Sequence, residues 1–383
     1  MNFNSPVQPT DAPFDGDAGG PKPGIALCLS GGGYRAMLFH LGSLWRLNES
    51  GVLPRVQRIS SVSGGSIVSG LLGLRWRQLG LDRGAATSAD FKRFIVSPIR
   101  SLANQSIDVV SSLGGVLGPG NAGDWIVGAY NKHLFDGATL QDLPEEPRFV
   151  FNATNVQSGV LWRFMKPYMR DYKVGEVVKP DVELARAVAA SSAFPPFLSP
   201  VVLELRPSQF SPGSGTLGEN FQHEIVLTDG GVYDNLGLET AWKRYETILV
   251  SDGGGQVEPN PDPKRDWARH TADVLSWTDN QVRSLRKRQV INSFEEGDRT
   301  GTYWGIRTDI ADYGLADALH CPHSATLELA KTPTRLKRLD VTGQEQLINW
   351  GYAVCDAALR RHFNTHFSPE CPKPAFPYPR SDV

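Results

Sequence analysis

The chain has 383 residues, of which 40% are hydrophobic and 21% are charged, so it is long enough to bury a large core. Its formal net charge of -2 argues against a nucleic acid partner, because proteins that bind polynucleotides usually carry a strong basic excess. No stretch reaches the roughly 18 to 20 apolar residues that a membrane-spanning helix requires, so we expect any contact with a bilayer to be peripheral.

The first 23 residues predict a disordered leader, because they are rich in Pro, Asp and Gly and lack the apolar run of a secretory signal peptide. The four cysteines, at positions 28, 321, 355 and 371, do not suggest a disulfide framework. Both observations favour a cytoplasmic location. After the leader we expect a core domain over 24–260, followed by a mainly helical extension over 261–383 that packs on the same core.

Two strand-turn-helix units open the core domain. Each consists of an apolar strand, a glycine-rich turn and a helix: 25–29, 30–33 and 34–50 in the first unit, and 56–62, 63–65 and 66–78 in the second. Successive units of this kind predict parallel strands that are covered by helices. The expected fold is therefore a three-layer α/β/α domain with a central, mostly parallel sheet.

Further elements are predicted along the rest of the chain. Strands are expected at 148–153, 161–165, 224–228, 247–251 and 303–308, and helices at 181–192, 266–293 and 343–363. The last helix should bury Leu347, Trp350, Ala353 and Ala358. Residues 111–130 combine many glycines with apolar side chains, so they are either a lid or membrane-facing segment, or a loop folded back on the core.

The turn of the second unit has the pattern of a nucleophile elbow, in which a serine stands on a strained bend between a strand and a helix. Such a bend needs small neighbours, which Ser61, Gly64 and Gly65 provide around Ser63. The following helix start favours negative charge on the serine oxygen and on a developing oxyanion. Ser63 is therefore the candidate nucleophile, and a glycine-rich helix start without catalytic function is the alternative.

The turn of the first unit, Gly31-Gly32-Gly33, offers consecutive backbone N–H groups that no side chain shields. Arg35 adds a permanent positive charge beside them. Together these groups predict an oxyanion hole.

The same glycines also satisfy the G-x-G-x-x-A pattern of dinucleotide-binding proteins. That pattern requires an acidic residue about 20 positions later to bind a ribose hydroxyl. No Asp or Glu occurs between Glu49 and Asp82, which weakens the nucleotide-binding alternative.

Two strands end in Asp-Gly-Gly, at Asp229-Gly230-Gly231 and at Asp252-Gly253-Gly254. Their carboxylates are expected at the sheet edge where the other turns lie. A carboxylate in a partly desolvated cleft can have its pKa raised enough to accept a serine proton directly. Local sequence alone does not choose between the two aspartates.

In their order along the chain, four segments resemble the patatin-like phospholipases, including bacterial members. They are GGGYRA from Gly31, SVSGG from Ser61, ASSAFPP from Ala190 and DGGVYDNLG from Asp229, within a match over about 24–254. The sequence departs from the family at Ser61, where glycine is usual.

The resemblance implies a serine acyl hydrolase that cleaves fatty-acyl esters of membrane lipids, as a phospholipase A or lysophospholipase does. It implies a Ser63-Asp229 dyad without histidine, selects Asp229 over Asp252, and assigns the oxyanion site to Gly31, Gly32, Gly33 and Arg35. No cofactor is expected. The string His320-Cys321-Pro322-His323 suggests zinc, but no second cluster completes four ligands at standard spacing, so no metal is expected either. Some bacterial relatives are dormant phospholipases, so a small messenger or a partner protein is a possible activator.

The alternatives are a Ser-His-Asp esterase that acts on soluble esters and a nucleotide-binding protein without enzymatic activity. A triad would need a histidine from a loop, for which His223, His320 and His323 are the candidates, whereas His40 is expected to be a core residue. Basic runs at 283–288 and 335–338 are solvated faces or contacts to anionic headgroups.

Overall fold

The computed structural model describes residues 20–108, 121–195, 198–263, 266–381 and 383. The strands are β1 (Lys22–Leu29), β2 (Val56–Ser61), β3 (Arg148–Asn155), β4 (Val160–Phe164), β5 (Tyr168–Asp171), β6 (Gly175–Val178), β7 (Val201–Glu204), β8 (Glu224–Asp229), β9 (Tyr245–Asp252) and β10 (Thr300–Gly305). The helices are α1 (Gly33–Glu49), α2 (Gly64–Arg75), α3 (Ser88–Phe91), α4 (Ser97–Ala103), α5 (Asn121–Tyr130), α6 (Leu184–Ser191), α7 (Gly231–Asp234), α8 (Glu239–Trp242), α9 (Trp267–Glu295), α10 (His323–Ala330) and α11 (Val341–His362). Within these ranges, no helix combines the length and the apolar character needed to cross a bilayer.

The central sheet is built from five parallel neighbours in the order β10-β9-β1-β2-β3. Strands β4, β5 and β6 extend it beyond β3 with antiparallel pairing. The middle strand β1 is buried from Ala26 to Leu29, as expected for a parallel strand covered on both faces. The predicted three-layer α/β/α fold with a central, mostly parallel sheet is confirmed.

Strands β2 and β8 lie end to end along the same edge of β3 and run toward each other. The last residue of β2, Ser61, pairs with Phe151, while the last residue of β8, Asp229, pairs with Ala153. Only Asn152 lies between these two positions. Strand β8 is antiparallel to β3. Asp229 therefore approaches the turn of Ser63 from the opposite direction to β2, and it does not lie at the end of a parallel strand.

Asn152 links the two strand ends. Its amide nitrogen donates to Ser60 Oγ and to the Ser61 carbonyl, both at 2.9 Å. Its own carbonyl lies so close to Gly230 that a Cβ at that position would be 2.2 Å away. Glycine is therefore required where the chain leaves β8.

The long C-terminal helix α11 packs closely against α1. A glycine on each helix makes the contact possible, since a Cβ at Gly42 would lie 2.0 Å from the Ile348 carbonyl and one at Gly351 would lie 1.9 Å from the Phe39 carbonyl. The residues predicted for the inner face of α11 are buried, namely Leu347, Trp350, Ala353 and Ala358. The region after 261 also supplies β10 to the sheet, so it shares the core of the preceding part.

Most element bounds lie within a few residues of the predicted ones. Strand β1 begins at Lys22, inside the expected leader, whose first 19 residues lie outside the described ranges. Strand β10 begins at Thr300 instead of Tyr303. Within it, Gly301 pairs with Ile248 of β9 so closely that no side chain would fit. Strands β5, β6 and β7 were not predicted, since each has only four residues and two of the four are buried.

The glycine-rich segment 111–130 is described only from residue 121 onward. There it forms α5, which buries Ile126, Val127 and Tyr130 and leaves Trp125 exposed. The described part therefore packs back on the core, while the rest of the lid prediction lies outside the described ranges.

Replacing Gly351 with alanine should destabilise the fold, because the added methyl group would push α11 away from α1. We expect a loss of about 1 to 3 kcal/mol in the free energy of unfolding. Chemical denaturation would measure it. Gly343→Ala is the matched control on the same helix, since its nearest neighbour would be 3.5 Å away, and equal losses in both variants would contradict this account.

Candidate active site

Ser63 stands on a strained bend between β2 and α2. Its backbone has φ 51° and ψ -117°, a positive φ that non-glycine residues rarely adopt. The side chain is almost completely buried. This is the geometry of a nucleophile elbow, and the helix that follows begins at the next residue, Gly64.

Both glycines of the elbow are required by close approaches of the backbone. A Cβ at Gly64 would lie 2.2 Å from the Gly33 carbonyl, and one at Gly65 would lie 2.5 Å from the Leu29 carbonyl. The elbow is thereby pressed against the end of β1 and the glycine-rich loop. Ser63 and the predicted oxyanion site are held together by these two contacts.

Ser61 stands where glycine is usual in the family that the sequence resembles. Its hydroxyl is buried and belongs to a hydrogen-bond network. It accepts bonds from Ser66 Oγ at 3.0 Å and from Ser69 Oγ at 2.8 Å, and it donates to the Val150 carbonyl at 3.2 Å. Ser66 Oγ also lies 2.8 Å from Ser191 Oγ. The network connects the strand before the elbow with the helix after it.

Asp229 is buried at the end of β8, and one of its carboxylate oxygens accepts the Gly231 N–H at 2.7 Å. Burial raises the pKa of Asp229 to about 7, against the opposing effects of the Gly231 N–H and the Ser63 hydroxyl. The carboxyl group is therefore near the point of balance between its two protonation states at neutral pH.

The ASSAFPP segment fixes the nucleophile and the aspartate relative to each other. The Ser191 carbonyl accepts the N–H groups of Ser63, at 3.1 Å, and of Gly230, at 3.3 Å. Ser191 Oγ accepts the Ser63 N–H as well, also at 3.1 Å, and the Asp229 N–H donates to the Ala193 carbonyl at 3.0 Å. The sequence marked this segment only through the family resemblance, because its contribution consists of backbone carbonyls. Pro196 at its end lies outside the described ranges.

The glycine-rich loop presents free backbone donors beside the nucleophile. Gly32 and Gly33 have φ of 142° and 59°, conformations that favour glycine. Among the described residues, the N–H groups of Gly32, Gly33 and Gly64 have no hydrogen-bond partner. The Gly31 N–H differs, because it donates to the carbonyl and side-chain oxygens of Asn235, at 3.0 and 3.1 Å.

Arg35 is buried, and its guanidinium contacts other groups than Ser63. Nε donates to the Gly253 carbonyl at 3.0 Å, Nη2 donates to Thr334 Oγ1 at 3.0 Å, and Nη1 donates to the Thr332 carbonyl. These contacts do not support its predicted place as a direct oxyanion donor. They show that Arg35 joins the loop after β9 to the segment 332–338, which we call the strap.

The strap covers the glycine-rich loop, a feature that the sequence did not indicate. The Tyr34 N–H donates to the Arg335 carbonyl at 3.0 Å, and the Ile107 N–H donates to the Leu336 carbonyl at 2.9 Å. Arg335 Nε also forms an ion pair with Asp108 at 2.6 Å. The strap consequently forms one wall of the cavity that contains Ser63.

This cavity has a mainly apolar lining with charged groups on one side. Its walls come from the loop after α6, the strap and the elbow, and its lining residues are Gly33, Ser63, Asp108, Ser192, Phe194, Leu198, Thr334, Arg335 and Leu336. The cavity has a volume of about 40 Å³, and its apolar lining reaches Ser63.

Asp252 has the same local sequence as Asp229 but a different environment. Its carboxylate accepts the Tyr303 hydroxyl at 2.8 Å and the Gly254 N–H at 2.9 Å. Burial acts to raise the pKa of Asp252, but Arg283, these two hydrogen bonds and Lys287 outweigh it, so the pKa lies below its ordinary value. A carboxylate held in its charged form by several partners is a poor proton acceptor.

None of the histidines in the described ranges has a hydrogen bond to Ser63 or Asp229. His40 is a buried core residue, bonded to Ser251 Oγ at 2.8 Å and the Ser30 carbonyl at 2.9 Å, and burial lowers its pKa to about 4. His323 lies 3.2 Å from Asp309. His223 precedes β8, at the opposite end of that strand from Asp229. Within the same ranges, no group of His, Cys, Asp and Glu could hold a metal ion.

Two solved structures of other proteins are similar to this chain. The human GIVD cytosolic phospholipase A2 in complex with methyl gamma-linolenyl fluorophosphonate is similar at 14% identity and a TM-score of 0.47, with 90% of this chain and 59% of that chain covered. VipD from Legionella pneumophila is similar at 16% identity and a TM-score of 0.34, with 89% and 67% covered. The chain thus spans about three fifths of the length of the human protein's chain. No curated protein sequence matches the chain significantly.

The family comparison gives the assignment. The sequence model described as "Patatin-like phospholipase" matches residues 27–242. This range is more than half of the chain, and it contains the glycine-rich loop, the elbow, the ASSAFPP segment and Asp229. The protein therefore belongs to the patatin-like phospholipase family.

Proposed function

We propose that the protein is a serine acyl hydrolase that cleaves fatty-acyl esters of membrane lipids, as a phospholipase A or lysophospholipase, through a Ser63-Asp229 dyad. The proposal rests on the meeting of two turns, since the N–H groups of Ser63 and Gly230 both donate to the Ser191 carbonyl. This places the serine beside a buried carboxyl group whose pKa is raised to about 7. Such a group can accept the serine proton without a histidine between them. Membership of the family supports the lipid ester as substrate.

In the first half of the reaction, Asp229 accepts the proton of Ser63 as the serine oxygen attacks the ester carbonyl carbon. The carbonyl oxygen becomes an oxyanion, and its collapse breaks the ester bond. The departing alcohol takes the proton from Asp229, which leaves an acyl group on Ser63. In the second half, Asp229 accepts a proton from a water molecule as the water oxygen attacks the acyl carbonyl carbon. The second oxyanion collapses and breaks the bond to Ser63 Oγ, which takes the proton back from Asp229 as the fatty acid leaves.

The oxyanion donors in this mechanism are the N–H groups of Gly32 and Gly33, with Gly64 beside them. They are the free donors next to the nucleophile among the described residues, and one such donor typically contributes about 10² to 10³ in rate. Gly31 and Arg35 act through position, because Gly31 holds the loop on Asn235 and Arg35 holds it under the strap.

The ester end of the substrate would enter the cavity in front of Ser63, whose volume of about 40 Å³ has room for the reacting group but not for a whole fatty-acyl chain. Phe194, Leu198 and Leu336 provide its apolar walls, and Arg335 with Asp108 lies on the side where a polar headgroup would remain. The requirement for an activator stays a prediction.

A fluorophosphonate probe should modify Ser63, because it reacts with activated serine nucleophiles as an ester does. We expect Ser63→Ala to abolish labelling and Asp229→Asn to slow it by at least about 10², as measured by mass spectrometry of labelled peptides. Asp252→Asn, which changes the same Asp-Gly-Gly sequence elsewhere, should still be labelled. Label on another serine, or an unchanged rate for Asp229→Asn, would contradict the dyad.

Activity should fall as the pH decreases through about 7, since only the deprotonated form of Asp229 can accept the serine proton. We expect kcat/KM for a monodisperse short-chain ester to rise with pH to a plateau, with a midpoint near neutrality. A midpoint near pH 4, the ordinary value for an aspartate, would show that the raised pKa does not govern the reaction.

Asp229→Asn should stabilise the fold more strongly at pH 8 than at pH 5. Because the pKa is raised in the folded state, the carboxyl group costs stability progressively as the pH rises from about 4 through 7. Removing the charge should raise Tm by a few degrees at pH 8 and by less at pH 5. Thermal unfolding would test this, and an increase that is equal at both pH values would contradict the proposed cost of ionisation.

A further inference from the structure

Helix α9 is much longer than the strands on which it packs. Its 29 residues extend about 43 Å, whereas the 8 residues of β9 extend about 26 Å. Its C-terminal half lies along the sheet, where Val290 is buried in the second hydrophobic cluster. Arg283 lies at the carboxyl end of β9. Its guanidinium would be 2.1 Å from a Cβ at Gly254, and Gly254 follows the last residue of β9 by two positions.

The preceding residues 267–279, which we call the projecting segment, therefore extend beyond the carboxyl edge of the sheet. None of its described side chains is buried. Four large apolar residues of this segment are exposed to solvent, with exposed fractions of 83% for Trp267, 49% for Val274, 60% for Leu275 and 44% for Trp277. Exposed apolar patches of this kind mark interaction surfaces.

The projecting segment lies at the same edge as the catalytic cavity. Helix α9 contacts α7, which follows the aspartate turn, and the carboxylate of Asp279 acts electrostatically on Asp229. Further exposed apolar side chains surround the site, because Phe194 of the cavity wall and Val232 of the aspartate turn are 46% and 54% exposed. Exposed apolar side chains thus lie both on the projecting segment and beside the entrance for substrate.

The strap adds positive charge to this edge. Lys337 and Arg338 are exposed next to the cavity, and Arg335 is exposed while paired with Asp108. Arg35 connects the strap to Gly253, in the loop that leads toward α9. The exposed Asp262 precedes the projecting segment, so attraction to an anionic surface should come from the strap, and apolar insertion should come from α9.

We propose that the projecting segment and the strap form the surface by which the protein docks on an anionic lipid bilayer, with Trp267, Leu275 and Trp277 inserted at the headgroup level. Tryptophan and aliphatic side chains on one segment, with the cations of the strap at the same edge, are the chemistry of interfacial membrane binding. The proposal rests on the proposed function, because docking at this edge would present the cavity to lipid. It differs from that function in naming where the bilayer is bound.

Binding is tested with the Ser63→Ala protein, which leaves the lipid intact, and vesicles of phosphatidylglycerol and phosphatidylcholine in equal parts. We expect co-sedimentation, and the added changes Leu275→Ser and Trp277→Ser should weaken binding by at least about tenfold. Leu285→Ser is the matched control, since Leu285 is 59% exposed on the packed half of the same helix, and it should bind as Ser63→Ala does. Lys337→Glu with Arg338→Glu should weaken binding by about tenfold or more.

Several results would overturn the docking proposal. They are failure of the Ser63→Ala protein to bind these vesicles, equal binding of the Leu275→Ser/Trp277→Ser and Leu285→Ser proteins, and a change from dimer to monomer in sedimentation velocity on replacing Leu275 and Trp277. The last result would assign the surface to a second copy of the chain. Unchanged melting temperatures would show that each variant is folded.

Activity separates this proposal from the proposed function. In the background with Ser63 intact, Leu275→Ser/Trp277→Ser should leave hydrolysis of a monodisperse short-chain ester unchanged and lower hydrolysis of vesicle lipid by about tenfold. An enzyme that hydrolyses the soluble ester but loses no vesicle activity on these changes would refute docking alone. A protein that binds vesicles normally but is not labelled at Ser63 would refute the hydrolase alone.

Discussion

The structure of the site depends on one constraint, which is that two strands share a single edge of β3 and approach each other head on. Ser61 and Asp229 pair with residues of β3 that are two positions apart, so the chain must turn out of the sheet at both strand ends within one small space. The Ser191 carbonyl then accepts an N–H from each turn. Ser63 and Asp229 are therefore positioned by backbone hydrogen bonds, which cost no side-chain entropy.

Burial distinguishes the two Asp-Gly-Gly turns. No cation among the described residues pairs with Asp229, so desolvation dominates and its pKa rises to about 7. Asp252 is equally buried, but Arg283, Tyr303 and Lys287 stabilise its charged form. The same Asp-Gly-Gly sequence thus carries a carboxyl group with a raised pKa in one place and a stabilised carboxylate in the other. Asp252 also lies next to the Gly253 carbonyl that holds Arg35, so the second turn supports the glycine-rich loop.

The region after 261 completes the site as well as the core. Its helix α11 packs on α1 through two glycines, its strap closes one wall of the cavity, and its helix α9 carries the exposed apolar residues at the same edge. The family match ends at residue 242, before all three elements. The surroundings of the nucleophile are therefore formed in part by chain that the family pattern does not describe, and differences in substrate access are expected to arise there.

The pattern of residues alone predicts the elements with strong periodicity and the residues that stand on glycine-rich turns. Ser63, the three glycines and the two aspartates could be named because a strained elbow and a close backbone approach tolerate few residue types, and the family resemblance favoured Asp229. The direction of β8, the different charge environments of Asp229 and Asp252, and the binding of Arg35 to the strap became visible only in the folded chain. Strand direction, partner charges and the packing of distant segments are long-range properties, and no local pattern of residues records them.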